Sequence, residues 1–159
     1  MKQFYLYLLS ALISACASSP GFDTRDIDPS LTPERVVHSL SANQGKTLLW
    51  GGLIININNL EQLTRIEVLA YPLNDAQLPL HNQSPMGRFL VDYQGFLEPS
   101  NYAPGRMITV RGTLIKLQQG KIGESNYLYP VLNSQQLYLW PQDAGQGKTR
   151  FHIGIGIGM

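Results

Sequence analysis

The fold is decided by residues 51–58, Gly51-Gly52-Leu53-Ile54-Ile55-Asn56-Ile57-Asn58. In this stretch Leu53, Ile55 and Ile57 alternate with Ile54, Asn56 and Asn58, which is the two-residue period of a β-strand. The two adjacent glycines are typical of a β-bulge or a sharply coiled strand. The stretch therefore predicts a bent β-strand.

Further strand patterns follow at short intervals, separated by turn residues, and no later segment has a helical period. Their apolar positions are Ile66, Val68 and Ala70 before Pro72; Phe89, Val91 and Tyr93; Ile108, Val110 and Leu114; residues 127–129; and residues 137–140. Five or six short strands with one helix predict a mainly β chain, a small barrel of the oligonucleotide/oligosaccharide-binding (OB) type. A small β-sandwich fits the same strand count and remains the alternative.

Upstream of the strands, the sequence predicts one short helix. Thr32 is a favourable N-cap, Pro33 suits the first helical position, and Val36, Val37 and Leu40 form an apolar stripe. We expect about two turns, ending near residues 41–43. The preceding residues, 17–30, are polar and turn-rich, which is typical of a flexible tether.

The N-terminus has the pattern of an export signal that ends at the only cysteine, Cys16. Lys2 supplies a positive charge, residues 4–13 are apolar, and the small pair Ser14-Ala15 precedes the thiol. About ten apolar residues are too few to span a bilayer, which takes roughly 20. We therefore predict a lipoprotein signal peptide over residues 1–15, cleaved before a lipidated Cys16.

Lipid on Cys16 predicts a membrane-anchored protein. The thiol would carry a diacylglyceryl group and the new amine a further acyl chain such as palmitate, which makes the attachment stable. In many Gram-negative bacteria an Asp after the lipidated cysteine retains a lipoprotein in the inner membrane, so Ala17 favours the outer membrane. The alternative is a buried cysteine in a cytosolic protein. The predicted organisation is a tether over residues 16–31 and a β-barrel domain over residues 32–159.

The composition implies no strong electrostatic partner. Charged residues make up 14% of the chain, against about 25% in typical domains. Residues 1–15 contain one basic residue, Lys2, and no acidic one, so their removal changes the formal charge from +1 to 0. The surface is instead rich in carboxamides, with 21 Asn and Gln residues. Nucleic-acid binding needs a basic surface, so we predict no nucleic-acid partner.

Catalytic and metal-binding patterns are incomplete. Residues 145–149 resemble the end of a phosphate-binding loop, but Gln142 stands where the pattern needs its first glycine. His38, His81 and His152 lie in separate segments and lack partners at metal-ligand spacing. There is no Gly-x-Ser-x-Gly motif for a nucleophilic serine. We therefore predict that the protein is not an enzyme and needs neither a cofactor nor a metal.

Two sets of residues are candidates for a site. The first is aromatic, because such side chains can offer an apolar body and a polar tip to a ligand: Trp50, Tyr71, Tyr102, Tyr127, Tyr129 and Trp140. Half-buried packing in the barrel is the alternative role for this set. The second set could form a cluster of ion pairs at one end of the barrel, structural or ligand-binding: Glu67, Arg88, Glu98, Arg106, Arg111 and Glu124.

The C-terminus alternates apolar residues with glycine. Phe151 and Ile153, Ile155, Ile157 and Met159 would share one face of an extended strand, with His152 and three glycines on the other. Such a strand could dock onto a membrane or an envelope protein. It could equally be a last barrel strand whose glycines allow a close backbone approach.

The order of motifs resembles the Slp family, the starvation-inducible outer-membrane lipoproteins of Gram-negative bacteria. The matching motifs cover most of residues 46–141: Gly51-Gly52 with Ile54-Ile55; Ile66-Glu67-Val68-Leu69 and Tyr71-Pro72-Leu73; Gly87-Arg88-Phe89; Phe96-Leu97-Glu98-Pro99 with Tyr102 and Gly105-Arg106; Thr109-Val110-Arg111-Gly112; Ile122-Gly123-Glu124 with Tyr127, Tyr129 and Pro130; and Leu139-Trp140. The resemblance implies an outer-membrane lipoprotein induced under starvation or stress, and it implies no catalytic residues.

Together these observations predict a lipid-anchored, non-enzymatic interaction or scaffold module of the cell envelope. Its partners would be the outer membrane, through lipid on Cys16, and another envelope protein or a glycan. The alternative function is the binding of a small ligand or glycan by the aromatic residues on the barrel face.

Overall fold

The computed structural model describes residues 20–145. Two short helices, α1 (Pro33–Val37) and α2 (Leu40–Asn43), precede five strands: β1 (Thr47–Asn59), β2 (Leu63–Tyr71), β3 (Arg88–Gln94), β4 (Met107–Ile122) and β5 (Ser125–Leu139). No helix in this part of the chain is long and apolar enough to cross a membrane. The predicted signal peptide, Cys16 and the glycine-rich stretch 151–159 lie outside the described residues.

The five strands form one closed barrel in the order β1-β2-β3-β5-β4. Neighbouring strands run antiparallel, except that β3 and β5 pair in parallel at residues 90–92 and 131–133. Closure pairs each strand of the wall on both sides, which removes the exposed edges that an open sheet presents. The predicted mainly β, OB-like barrel is confirmed with five strands, and the sandwich alternative is excluded.

The coiled path of β1 makes this closure possible, since β1 pairs with β4 along its first half and with β2 along its second. Gly51 and Gly52 lie where the two pairings overlap. A Cβ atom on Gly52 would lie 1.9 Å from the carbonyl oxygen of Leu69, so only glycine fits the close approach of β1 and β2. The bend predicted from the glycine pair is therefore present.

A register shift between Ile54 and Asn56 is the bulge of this strand. Ile54 is buried, whereas Leu53 and Ile55 are half-buried, and after the shift Ile57 packs against the core. Because an extra residue reverses the side-chain alternation, the strand sends Ile54 and then Ile57 inward. The simple alternation in the sequence does not reveal this change of face.

Apolar side chains from all five strands fill the barrel. Fully buried members include Leu48, Ile54, Ile66, Val68, Phe89, Val91, Ile108, Val110, Leu114 and Leu132. The predicted inward faces of β2 and β4 are confirmed. The Trp50 and Phe89 rings pack in a T-shaped arrangement at a centroid distance of 5.1 Å, a favourable aromatic geometry within the core.

The predicted helix is divided into two pieces. Thr32 caps α1 by accepting a hydrogen bond from the backbone N–H of Arg35, and Pro33 begins the helix. The chain leaves the helical path at His38 and Ser39, then α2 ends at Asn43, as expected from the sequence. Val36 is completely buried among the core residues, so α1 covers part of the barrel interior.

Residues 20–31, which we call the strap, lie against the barrel. Phe22 is buried. The Arg111 side chain donates hydrogen bonds to the Asp23 carbonyl and to the Asp26 carboxylate, at 3.1 and 2.9 Å. The Trp50 indole N–H donates to the Leu31 carbonyl at 2.7 Å. These residues belong to the predicted tether, but the contacts attach them to the barrel surface.

Candidate functional site: a polar groove beside the β4–β5 hairpin

The last strands run beyond the barrel wall. The pairing of β1 with β4 covers residues 107–113, and the pairing of β3 with β5 covers residues 131–133. Residues 116–122 of β4 pair only with β5, and residues 125–130 of β5 pair only with β4. We call residues 116–130 the outer hairpin. Each of its strands has an edge that no other described strand occupies.

A polar groove of about 200 Å³ lies between the outer hairpin and the outward faces of β1 and β2. Carboxamides, charged groups and one phenol form most of its lining: Asn56, Asn58, Arg65, Glu67, Gln118 and Tyr129. The alternation of strands explains this chemistry, because residues 65 and 67 point outward while Ile66 and Val68 point into the core. The groove therefore offers many hydrogen-bonding groups on a rigid support.

One wall of the groove is fixed by an ion pair between β2 and β3. Two nitrogens of Arg65 contact the two carboxylate oxygens of Asp92 at 2.7 and 2.8 Å, and its third nitrogen donates to the Gln118 side chain at 2.9 Å. The hydrogen bonds with Asp92 raise the pKa of the Arg65 guanidinium. This paired, two-point geometry orients the guanidinium and ties the outer hairpin to the barrel.

A second ion pair joins Arg88 to Glu67 at 2.7 Å. The Tyr129 hydroxyl donates to Glu67 at 3.1 Å, and the Tyr127 hydroxyl accepts from the backbone N–H of Arg88 at 2.8 Å. Burial, and then the charge of Glu67, raise the pKa of Tyr129. Tyr129 therefore remains a neutral hydrogen-bond donor well above neutral pH.

The structure brings four of the predicted residues together here: Glu67, Arg88, Tyr127 and Tyr129. The rings of the two tyrosines lie 4.7 Å apart, edge to face. Both candidate sets contribute to this group, one with its ion pair and the other with its two phenols.

The six aromatic residues do not share one face. Trp50 belongs to the core and Tyr71 borders a different cavity, described below. Tyr102 packs half-buried against the core. Trp140 is buried, and its indole N–H donates to the Thr109 hydroxyl at 2.9 Å. These contacts show that Trp50 and Trp140 pack within the barrel.

The six charged residues do not form one cluster either. Arg106 donates to the backbone carbonyls of Asn101 and Trp140, at 2.8 and 2.9 Å, and Arg111 binds the strap. Glu98 accepts from the Ser100 hydroxyl, and Glu124 lies exposed next to the turn of the outer hairpin. Within the described residues, the ion pair between Glu67 and Arg88 is the one that joins two members of this set.

Sequence reasoning missed Arg65, Asp92, Gln118 and the two asparagines of the groove. Arg65 and Glu67 could have been grouped, because they occupy alternate positions of one strand. Asp92 lies directly opposite Arg65 in the pairing of β2 with β3. That register depends on the barrel topology, which the local sequence pattern does not contain.

The lining does not resemble a metal centre. Within residues 20–145, no group of three His, Cys, Asp or Glu side chains is placed to hold a metal ion. The carboxylates beside the groove are instead paired with arginines. The arrangement is suited to recognition through hydrogen bonds.

Fold and groove together define a small β-barrel module with an outward-facing polar site. The chain belongs to the Slp family, since the model of the outer membrane lipoprotein Slp family matches residues 13–154. The family membership predicted from the motifs is thus confirmed.

Three relatives illustrate the similarity. The chain is 38% identical over 96 residues to an uncharacterized protein of Haemophilus influenzae, covering 60% of this chain and 52% of that protein. It is 30% identical over 115 residues to the uncharacterized lipoprotein YeaY of Escherichia coli, covering 70% and 59%. Outer membrane protein Slp of Escherichia coli is 31% identical over 137 residues, covering 83% and 71%. The match spans only about half of the first relative and three fifths of the second.

The family and the named relatives give the cellular location. The protein is an outer-membrane lipoprotein, attached to the membrane by lipid.

Proposed function

We propose that the protein is a non-enzymatic interaction module of the cell envelope that binds an extended segment of another envelope protein in the polar groove. In this proposal residues 1–15 are a cleaved signal, lipid on Cys16 supplies the anchor, and residues 32–159 form the binding domain. An association with starvation or stress follows from the family resemblance and belongs to the same proposal.

The observation that carries the proposal is the free edge of β4 beside the groove. Residues 116–122 pair with β5 on one side only, and residues 118–121 line the groove. A free strand edge presents a row of backbone N–H and C=O groups, which an extended polypeptide can match by adding a strand. The spacing of that row fits a peptide backbone, and the polar side chains opposite would select its sequence.

The charged residues support binding rather than catalysis. Arg65 and Asp92 neutralise each other, as do Glu67 and Arg88. Their hydrogen bonds hold the groove in shape before a partner arrives, which lowers the entropic cost of association.

Photo-cross-linking in intact cells tests the proposal. A benzophenone amino acid replaces Gln119, which lines the groove, and in a matched strain replaces Gln83, an exposed glutamine in the connection between β2 and β3. We expect a discrete protein adduct from position 119 and none from position 83. The adduct should disappear when Cys16→Ser is combined with a signal that is cleaved without lipidation. Equal adduct patterns from the two positions would contradict the proposal.

Glycan binding is the second candidate function, favoured by the carboxamides of Asn56 and Asn58 and the neutral phenol of Tyr129. Such groups hydrogen-bond well to sugar hydroxyls. Titration calorimetry with soluble envelope oligosaccharides and unlipidated protein separates the two functions. Saturable heat that is lost in Asn56→Ala/Asn58→Ala, together with no protein adduct at position 119, favours the glycan.

A further inference from the structure

A larger cavity lies between the strap and the barrel, away from the polar groove. Its volume is about 520 Å³, within the range of roughly 300–1,000 Å³ typical of small-molecule sites. Trp50 of β1 lines it together with Leu73 and Met86 of the connection between β2 and β3, and Ile27 and Leu31 line it from the strap. We call it the strap cavity. Most of its surface is apolar, so it suits a ligand with a hydrocarbon body.

Gln77 marks the polar part of this cavity by two unusual features. Its backbone has φ of 66°, and it is the one non-glycine residue with positive φ among residues 20–145. Its Oε1 atom is buried without a hydrogen-bond partner in the described chain. Its Nε2 atom donates only a long hydrogen bond, 3.4 Å, to the Phe22 carbonyl of the strap.

Both features of Gln77 cost stability. A non-glycine residue in the left-handed region is strained, and a buried acceptor without a donor loses the hydrogen bonds that it would make with water. Such costs concentrate at functional sites, because a ligand can offset them. The terminal torsion of a glutamine is soft, so the carboxamide can turn toward a donor inside the cavity.

The charge of the lining restricts which head group the ligand can carry. Among the lining residues that the structure describes, Asp75 is the only charged one, and none is Lys, Arg or His. An anionic head group would face a carboxylate without any cation, which is unfavourable. A neutral head group that donates a hydrogen bond fits both Asp75 and Gln77.

We propose that the strap cavity binds a neutral single-chain amphiphile, with its hydrocarbon chain against Trp50, Leu73 and Met86 and a hydroxyl or amide N–H of its head donating to Gln77. This site is separate from the polar groove and does not depend on the function proposed for it. The strap forms one wall of this site.

Two matched fluorescent probes test the binding and the charge preference. N-phenyl-1-naphthylamine is neutral and has one N–H donor, whereas 8-anilinonaphthalene-1-sulfonate has a similar ring system and a negative charge. The protein is residues 16–159 with Cys16→Ser, which retains every described residue without lipid or detergent. We expect saturable enhancement with the neutral probe and roughly tenfold weaker binding of the sulfonate, the effect of one unfavourable charge contact. Monododecanoylglycerol should displace the neutral probe, and dodecanoate should not.

Two variants locate the site. Leu73→Asn places a carboxamide in the apolar lining, and its control is Leu60→Asn, at an exposed leucine between β1 and β2. We expect about tenfold weaker probe binding for Leu73→Asn and no change for Leu60→Asn. Equal binding by the two variants, or no saturable enhancement in the parent protein, overturns the proposal. Equal affinity for the two probes overturns the assigned ligand class.

Gln77→Gly tests the hydrogen bond without endangering the fold, because glycine adopts positive φ at little cost. We expect displacement by monododecanoylglycerol to weaken about fivefold, the loss of one neutral hydrogen bond. The thermal midpoint of this variant should equal or exceed that of the parent. Unchanged displacement in a stable Gln77→Gly protein contradicts the role given to its carboxamide.

Discussion

At the scale of single residues, Gly52 is the position where the barrel tolerates least change. A Cβ atom there would overlap the backbone of Leu69, and neither strand can move without disturbing the closed barrel. We expect Gly52→Ala to lower the free energy of unfolding by more than about 3 kcal/mol. Gly123→Ala is the control, since that glycine has φ of 58° but no atom within 4 Å of the added Cβ.

Chemical denaturation of both glycine variants measures the difference. Gly123→Ala should lose only the conformational cost, about 1–2 kcal/mol. Similar losses at the two positions would mean that the contact between β1 and β2 is more adaptable than the structure indicates.

The ion pair between Arg65 and Asp92 makes a second prediction at this scale. The Asp92 side chain is only 7% exposed and that of Arg65 22%, so removal of one charge leaves the other poorly solvated. We expect Asp92→Asn to lower stability by about 2–3 kcal/mol. Glu98→Gln, at an exposed carboxylate, should change stability by less than about 0.5 kcal/mol. Thermal unfolding at neutral pH compares the two, and equal midpoints would argue against a structural role for the pair.

At the scale of elements, the strap owes its position to few contacts. Arg111 provides two of them, to Asp23 and Asp26. We expect Arg111→Ala to release the strap and to speed amide hydrogen exchange in residues 22–31 without unfolding the barrel. Arg25→Ala is the control, because within residues 20–145 the exposed Arg25 forms an ion pair only with Asp23 of the strap itself. If exchange in the strap is unaffected by Arg111→Ala, the remaining contacts, chiefly buried Phe22 and the hydrogen bond from Trp50 to Leu31, are enough to hold it in place.

Helices and strands with strong local patterns were predictable from the sequence. How they pack against one another was harder to predict. The alternation of Ile66, Val68 and Ala70 defines β2, and the signals of Thr32 and Pro33 define the start of α1. The break at His38 and Ser39 and the position of the bulge, after Ile54 rather than at the glycine pair, were not predicted from the local pattern. The groove combines residues of β1, β2, β4 and β5, so its composition follows from topology.

At the scale of the whole molecule, the location in the envelope depends on the residues next to the predicted lipid. An Asp directly after the lipidated cysteine retains lipoproteins in the inner membrane of many Gram-negative bacteria. In this chain that position is Ala17. We expect Ala17→Asp to transfer the protein from outer-membrane to inner-membrane fractions in a density gradient, while Ala17→Ser leaves it in place. An unchanged distribution of Ala17→Asp would show that other residues direct sorting.

The attachment of the strap also limits how far the barrel can stand from the bilayer. Pro20 already contacts the barrel through Gln136, and four peptide steps separate it from Cys16. Even fully extended, four steps span only about 14 Å, roughly twice the thickness of one headgroup layer. With lipid on Cys16, the strap side of the barrel would therefore stay close to the membrane surface. A partner would then have to come close to the bilayer to be bound.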